Sequence, residues 1–256
     1  GLDQPYLTQL LRAFRNLLTL DLGNSYQGNE NIILALSNKF PITLQVTFWS
    51  MFVSLGIALP AGIISAIKQY SSFDYIAMFI ALLGLSIPNF WLGLMLILYF
   101  AINLKVLPAT FQVGNSLTLI MPAIVLGTGM SASVARMTRS SMLEVKNSDY
   151  ILTARAKGLP ENKVVMKHIL GNALIPIVTT IGGQFGGMLG GSSVTEKVFN
   201  INGIGSYIVE KQYIPDIPVV LAGVVYISFI ISIMNLVIDI LYAVIDPRIK
   251  SRMKNY

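Results

Sequence analysis

Five apolar stretches, residues 42–67, 75–104, 117–134, 173–194 and 218–245, limit what this chain can become. About 20 helical residues cross the ~30 Å hydrocarbon core of a bilayer. Inside lipid every backbone polar group must find its partner within the protein, so a spanning segment is a helix or belongs to a closed barrel. Runs this long and continuously apolar are helical. Charged residues make up only 12% of the chain, against the quarter usual in a soluble domain. The expected fold class is all-α, a polytopic transmembrane helical bundle with five visible spans. Pro41 is expected at the first position of the first span, where its missing N–H is harmless. Pro88, within Ser86-Ile87-Pro88-Asn89, is expected to kink the second.

Loop charge sets the orientation. With the first span running outside to inside, the inner segments hold Lys68, seven Lys or Arg between Arg136 and Lys167, and four from Arg248 to Lys254. The outer segments hold six: Arg12, Arg15, Lys39, Lys105, Lys197 and Lys211. The excess places residues 135–172 and the C-terminus in the cytoplasm. Residues 1–41 then form an extracytoplasmic segment, and a sixth span ahead of it is expected. Within that segment Leu7, Leu10, Leu11, Phe14, Leu17 and Leu18 follow helical spacing, with Arg12, Arg15 and Asn16 between them. This pattern suits a short helix on the membrane surface, or equally one packed in an extramembrane loop.

Several chemistries are excluded early. There is no Cys, hence no disulfide or thiolate metal site, and the single His168 leaves no His-built metal site. No G-x-x-x-x-G-K-[ST] phosphate loop is present, so the chain does not itself hydrolyse ATP.

The most informative segment lies between the third and fourth spans, at 140–172. Asp149-Tyr150-Ile151-Leu152-Thr153-Ala154-Arg155-Ala156-Lys157 reads as a short helix ended by Gly158, which suits a left-handed C-terminal position. Pro160 then opens a second helix with Glu161 in its first turn. Two short helices about a small-residue bend make a knob fitted to dock into another protein.

On these residues the chain resembles ABC importer permeases, whose coupling motif has the form E-A-A-x3-G-x9-I-x-L-P. Ala154, Gly158 and Leu170 match it; Leu152, Thr153, His168 and Gly171 depart from it. The departures resemble the oligopeptide, dipeptide and nickel subfamily, in Thr153-Ala154-Arg155-Ala156-Lys157-Gly158-Leu159, His168 and Asn172-Ala173-Leu174-Ile175-Pro176. Asp21–Tyr26, Ser86–Trp91, Ala135–Met142, Val198-Phe199 with Gly203-Ile204-Gly205, and Asp246-Pro247-Arg248 carry the likeness along most of the chain. The resemblance implies a non-catalytic subunit in the cell membrane with no cofactor of its own. It implies as partners a sister permease, two cytoplasmic ATPase subunits that carry ATP and Mg²⁺, and an extracytoplasmic substrate-binding protein. Thr153 to Leu159 would meet the ATPases. Peptides are the leading substrate class; nickel or a nickel chelate is the alternative, and bare Ni²⁺ finds few ligands in this chain.

Three other groups stand out. In the fourth span Gly182, Gly186 and Gly190 interleave with Gly183, Gly187 and Gly191, two stripes that admit close helix packing or a surface that slides during transport. In the fifth, Ser228, Ser232, Asn235, Asp239, Tyr242 and Asp246 share one helix face, either lining the path or pairing with basic residues near the inner surface. Glu196, Phe199, Gly203 and Gly205 lie in an outer loop that touches the binding protein, gates the outer mouth or packs on the bundle. A self-sufficient secondary transporter would show inverted repeats and more intramembrane charge. An intramembrane enzyme would show paired catalytic residues, and none is evident.

Overall fold

The computed structural model describes residues 3–245 apart from Leu20 and Ile214; within that range the side chains of Gly191, Asp239 and residues 241–245 lie outside the description. The described residues are overwhelmingly helical. In chain order the elements are α1 (Tyr6–Leu18), α2 (Ile32–Ile67), α3 (Ser72–Ser86), α4 (Asn89–Leu96), α5 (Ile120–Lys146), α6 (Asp149–Ala156), α7 (Glu161–Lys163), α8 (Gly171–Gly191), α9 (Ser193–Val198), α10 (Ile204–Tyr213) and α11 (Ile217–Ile245). Wider π-helical turns extend α4 over Ile97–Asn103 and join α7 to α8 over Val164–Leu170. Four helical stretches are long and apolar enough to cross a membrane, and α3 with α4 makes a fifth if the bent pair is one span.

Two expectations are corrected. The first span does not begin at Pro41. α2 starts at Ile32, where the Asn31 side chain accepts from Leu34 N at 3.2 Å, and carries Pro41 and Pro60 inside it. Its 36 residues span about 54 Å, more than the hydrocarbon core requires. The extra turns are held by packing of Ile32, Ala35 and Leu36 against Ile204, Tyr207, Ile208 and Val219. That burial outweighs one backbone bond lost at Pro41, so the boundary expected at residue 41 falls inside a helix. The second correction is the size of the bend at Pro88. α3 and α4 meet at 96°, a break rather than a kink. Ile87, pushed toward the extended region by the following proline, sits at ψ 121°, and Pro88 at ψ 133° opens α4.

The core is the α2–α5 pair. On α2, Ser50, Ser54, Ala58, Gly62 and Ala66 recur at every fourth position, and all are buried. A Cβ placed on Gly62 would lie 2.6 Å from Thr138 Cβ and 2.7 Å from the Ala135 carbonyl oxygen; one on Gly127 would lie 2.7 Å from the Ser50 carbonyl oxygen. Small residues on both helices bring the backbones together, which is how helices associate where lipid removes the hydrophobic drive. α3 and α8 also pack along α5, and α11 packs on α8. One pole of the bundle carries α6; the other carries α9 and α10.

Candidate functional site

At the first pole α6 is laid across the ends of α2 and α5. Ile151, fully buried, and Ala154 pack into a cluster with Ala66, Met142, Val164, Val165 and Ile169. Lys146 Nζ donates to the Ala66 and Ile67 carbonyls at 3.1 and 3.4 Å, satisfying the C-terminal end of α2. Gly158 has φ +73° and ends the helix, its N–H donating to Arg155 O at 2.9 Å. Across the bend Arg155 Nη2 and Nε donate to the two Glu161 carboxylate oxygens at 2.7 and 3.2 Å. That hydrogen-bonded partner holds the Arg155 guanidinium pKa above its ordinary value. A cavity of about 260 Å³ lies beneath, between Lys146, Arg155, Glu161 and apolar Met142, Val165 and Ile169.

Of the residues read as the coupling segment, Thr153, Ala156, Lys157 and Gly158 are exposed, Arg155 and Leu159 are half-buried, and Ala154 faces inward. Tyr150 and Leu152 belong with the exposed set and were missed. The signal for them was available: on an eight-residue helix anchored through positions 151 and 154, the apolar side chains at 150 and 152 are left facing out. One turn further into the bundle, Arg139 Nε and Nη2 donate to the Asp74 carboxylate at 2.6 and 2.7 Å. Asp74 also accepts from Tyr70 N at 3.0 Å. This pair ties the α2–α3 turn to α5.

The opposite pole is organised around two buried carboxylates. Glu196 is 0% exposed. Its Oε1 accepts from Thr43 Oγ1 at 2.8 Å and from Ser192 Oγ at 2.9 Å, and its Oε2 from Ser206 N at 2.8 Å. Phe199, Gly203 and Gly205 are buried with it. None of the four is exposed on this subunit. They hold α9 and α10 onto α2, and a Cβ on Gly203 would sit 2.5 Å from the Glu196 carboxyl carbon. The polar side chains left on this surface include Lys197, Asn202 and Glu210. Asp216, also buried, accepts from Ser25 Oγ, from Tyr26 N at 3.2 Å and from Gln27 N at 3.3 Å, clamping the turn before α2. Burial pushes its pKa up, but these donors and Lys211 outweigh burial and hold it below the ordinary aspartate value. Burial, with Glu30 beside the ring hydroxyl, pushes Tyr207 up to about 12.

The two glycine stripes of α8 separate. Gly182, Gly186 and Gly190 face Ile238, Ile231 and Ile227 of α11, whereas nothing lies within 4 Å of a Cβ on Gly183 or Gly187. Gly191 continues the second series along the helix, its surroundings outside the description. On α11, Ser228, Ser232 and Asn235 are exposed; the side chains of Asp239 and Tyr242 and all of Asp246 lie outside the described residues. Among the described residues no three His, Cys, Asp or Glu cluster to hold a metal ion.

Residues 58–251, three quarters of the chain and all of the α6 pole, match the family described as binding-protein-dependent transport system inner membrane component. The chain belongs to that family. Its relatives include a dipeptide transport system permease, DppB, from Alkalihalophilus pseudofirmus, 42% identical over 98% of this chain and 83% of that protein. The oligopeptide permease AppB of Bacillus subtilis is 39% identical over 98% of this chain and 82% of its own length. The glutathione permease GsiC of Escherichia coli is 41% identical over 98% and 81%. In fold, this family member is similar to the inward-facing MetNI methionine ABC transporter, with a TM-score of 0.70 and 20% identity over 84% of this chain and 97% of that one.

Proposed function

We propose that this chain is one of the two permease subunits of an ATP-driven importer and forms half of the path by which short peptides enter the cell. The observation that carries the substrate class is similarity over nearly the whole chain to permeases named for dipeptides, oligopeptides and glutathione, all short peptides. The sister subunit is a second, different permease chain. The α6 pole supports the placement of the ATPase subunits: a short helix, anchored by Ile151 and stapled by Arg155–Glu161, presents Tyr150, Leu152, Thr153, Ala156 and Lys157 outward. An ATPase gripping it would move the ends of α2, α5 and α8 together, because α6 packs on the cluster those helices share. ATP binding thereby biases a two-state bundle that the nucleotide never touches. The greater number of Lys and Arg at this pole supports its cytoplasmic placement. The α9–α10 pole then faces outward and receives the binding protein on its exposed polar surface.

The test is co-purification from the native membrane. A tagged copy is expected to bring down a second permease and two ATPase subunits, and the associated binding protein to yield short peptides by mass spectrometry. Recovery without an ATPase, or a binding protein loaded only with non-peptide solutes, defeats this reading.

A further inference from the structure

The outward surface of the bundle is of two kinds. Much of it is apolar, as expected against lipid: Phe48 and Phe52 on α2, Ile76 and Phe79 on α3, Leu221 and Phe229 on α11. The face of α5 that turns away from α2 is different. Gly129, Ser133, Arg136 and Ser140 are spaced 4, 3 and 4 apart, so they share one side of the helix, and each is partly or fully exposed. The opposite side of α5, through Gly127, Ala135 and Thr138, is the one closed against α2. At the upper end of this stripe stands the α3–α4 elbow, where Ser86, Pro88 and Asn89 are exposed and Asn89 Oδ1 would lie 3.4 Å from a Cβ on Gly129.

Charge and backbone make this face unusual. At 1.5 Å per residue, Arg136 sits about 24 Å along α5 from Ile120 and about 15 Å short of Lys146. Arg139, one turn nearer the α6 pole, is neutralised by Asp74. Arg136 has no ion-pair partner among the described residues. Arg136 thus stands toward the inner end of this face, and the broken backbone of the elbow persists within a span only where protein or water covers it. We infer that this face is a wall of the water-filled path in the assembled importer, and that Arg136 receives the C-terminal carboxylate of the passing peptide. The inference rests on the peptide-import reading above. Every linear peptide with a free C-terminus presents that carboxylate whatever its side chains, and a guanidinium matches it with two parallel charge-assisted hydrogen bonds. A contact to the shared group rather than to side chains suits a path that must pass many sequences.

Two measurements on the complete transporter, with its binding protein, test this. Since the chain contains no Cys, single substitutions Ser133→Cys, Ser140→Cys and, as a lipid-facing control, Phe79→Cys place one thiol each in this subunit. A water-soluble methanethiosulfonate, its adducts located by mass spectrometry, is expected to modify the first two and not the third, and excess peptide is expected to slow the modification. Modification of Phe79→Cys alone, or of none, overturns the assignment of the wall. The second measurement compares uptake of a tripeptide and its C-terminal amide. Arg136→Gln is expected to lower uptake efficiency about tenfold for the acid, the scale of one charged contact, to leave the amide unchanged, and to be partly rescued by Arg136→Lys. Equal slowing of acid and amide overturns the carboxylate contact and points to an acidic partner on the sister subunit. Failure of the unsubstituted transporter to take up any peptide defeats the peptide reading and the carboxylate contact together, while modification of Ser133→Cys still stands for the wall.

Discussion

Removal of the Glu196 carboxylate tests how the outward pole is held. In the folded protein three donors converge on it, the Thr43 and Ser192 hydroxyls and the Ser206 N–H, all within 2.8–2.9 Å. After Glu196→Ala the hydroxyls can rotate, and Thr43 keeps its role as acceptor from Ile204 N at 2.9 Å. The Ser206 N–H cannot rotate, and a buried orphan donor costs about 1–3 kcal/mol. The space left between Gly203 and Thr43 adds a cavity penalty, for a total of about 3–4 kcal/mol. Glu196→Gln keeps one oxygen for both hydroxyls but sets an amide N–H₂ against Ser206 N–H, a loss of about 1–2 kcal/mol. Stability is therefore expected to fall in the order Glu, Gln, Ala. Thermal unfolding of the purified transporter in detergent, followed by tryptophan fluorescence, provides the comparison. If Glu196→Ala unfolds with the unsubstituted protein, or if Gln is worse than Ala, the network does not hold α9 and α10 as described.

Three further outcomes are expected. Gly62→Ala forces a methyl against Thr138 and the Ala135 carbonyl, an overpacking penalty of about 1–3 kcal/mol, whereas Gly183→Ala meets no atom of this chain within 4 Å; only the first should lower the folded yield of this subunit when it is expressed alone. Asp74→Asn strands the Arg139 charge and should destabilise by about 3 kcal/mol, with partial recovery in the exchanged pair Asp74→Arg/Arg139→Asp, read from the same thermal unfolding curves. For Asp216 the folded pKa lies below the ordinary aspartate value near 4. The clamp is thus complete above that value and is lost as pH falls through the folded pKa, so protease cleavage within residues 24–30 should rise in that acid range, and in Asp216→Asn should be high and flat with pH.

How much of this was legible depends on which force decides each feature. Apolar length is a one-dimensional property, so the spans and the overall class followed from the sequence, as did the bend at Gly158, where a single residue type suits the backbone. The start of α2 was not legible, because Pro41 is a local signal and the packing of Leu36 on Ile204 and Val219 that overrides it joins residues far apart in the chain. The burial of Glu196 was left open for a similar reason: a charged residue in an apparent loop suits either surface or core until Thr43, 153 residues earlier, is seen to reach it. The close-packed Ser50, Ser54, Ala58 and Gly62 series was visible as a spacing of four but was overshadowed by the paired glycines of α8, of which Gly182, Gly186 and Gly190 meet a neighbouring helix at close range and Gly183 and Gly187 do not. The stripe on α5 mixes Gly, Ser and Arg, a set that acquires meaning only once one side of the helix is known to be closed.

The central claim is that this subunit conducts peptides under the control of ATPases acting at α6. It is tested most directly by ATP-dependent uptake of a radiolabelled tripeptide into liposomes holding the complete transporter and supplied with its binding protein. The account predicts uptake that requires ATP and falls sharply when Leu152→Asp places a charge on the exposed face of α6, with the subunits still recovered together. Peptide uptake without ATP, or full uptake and ATP dependence in Leu152→Asp, would contradict it.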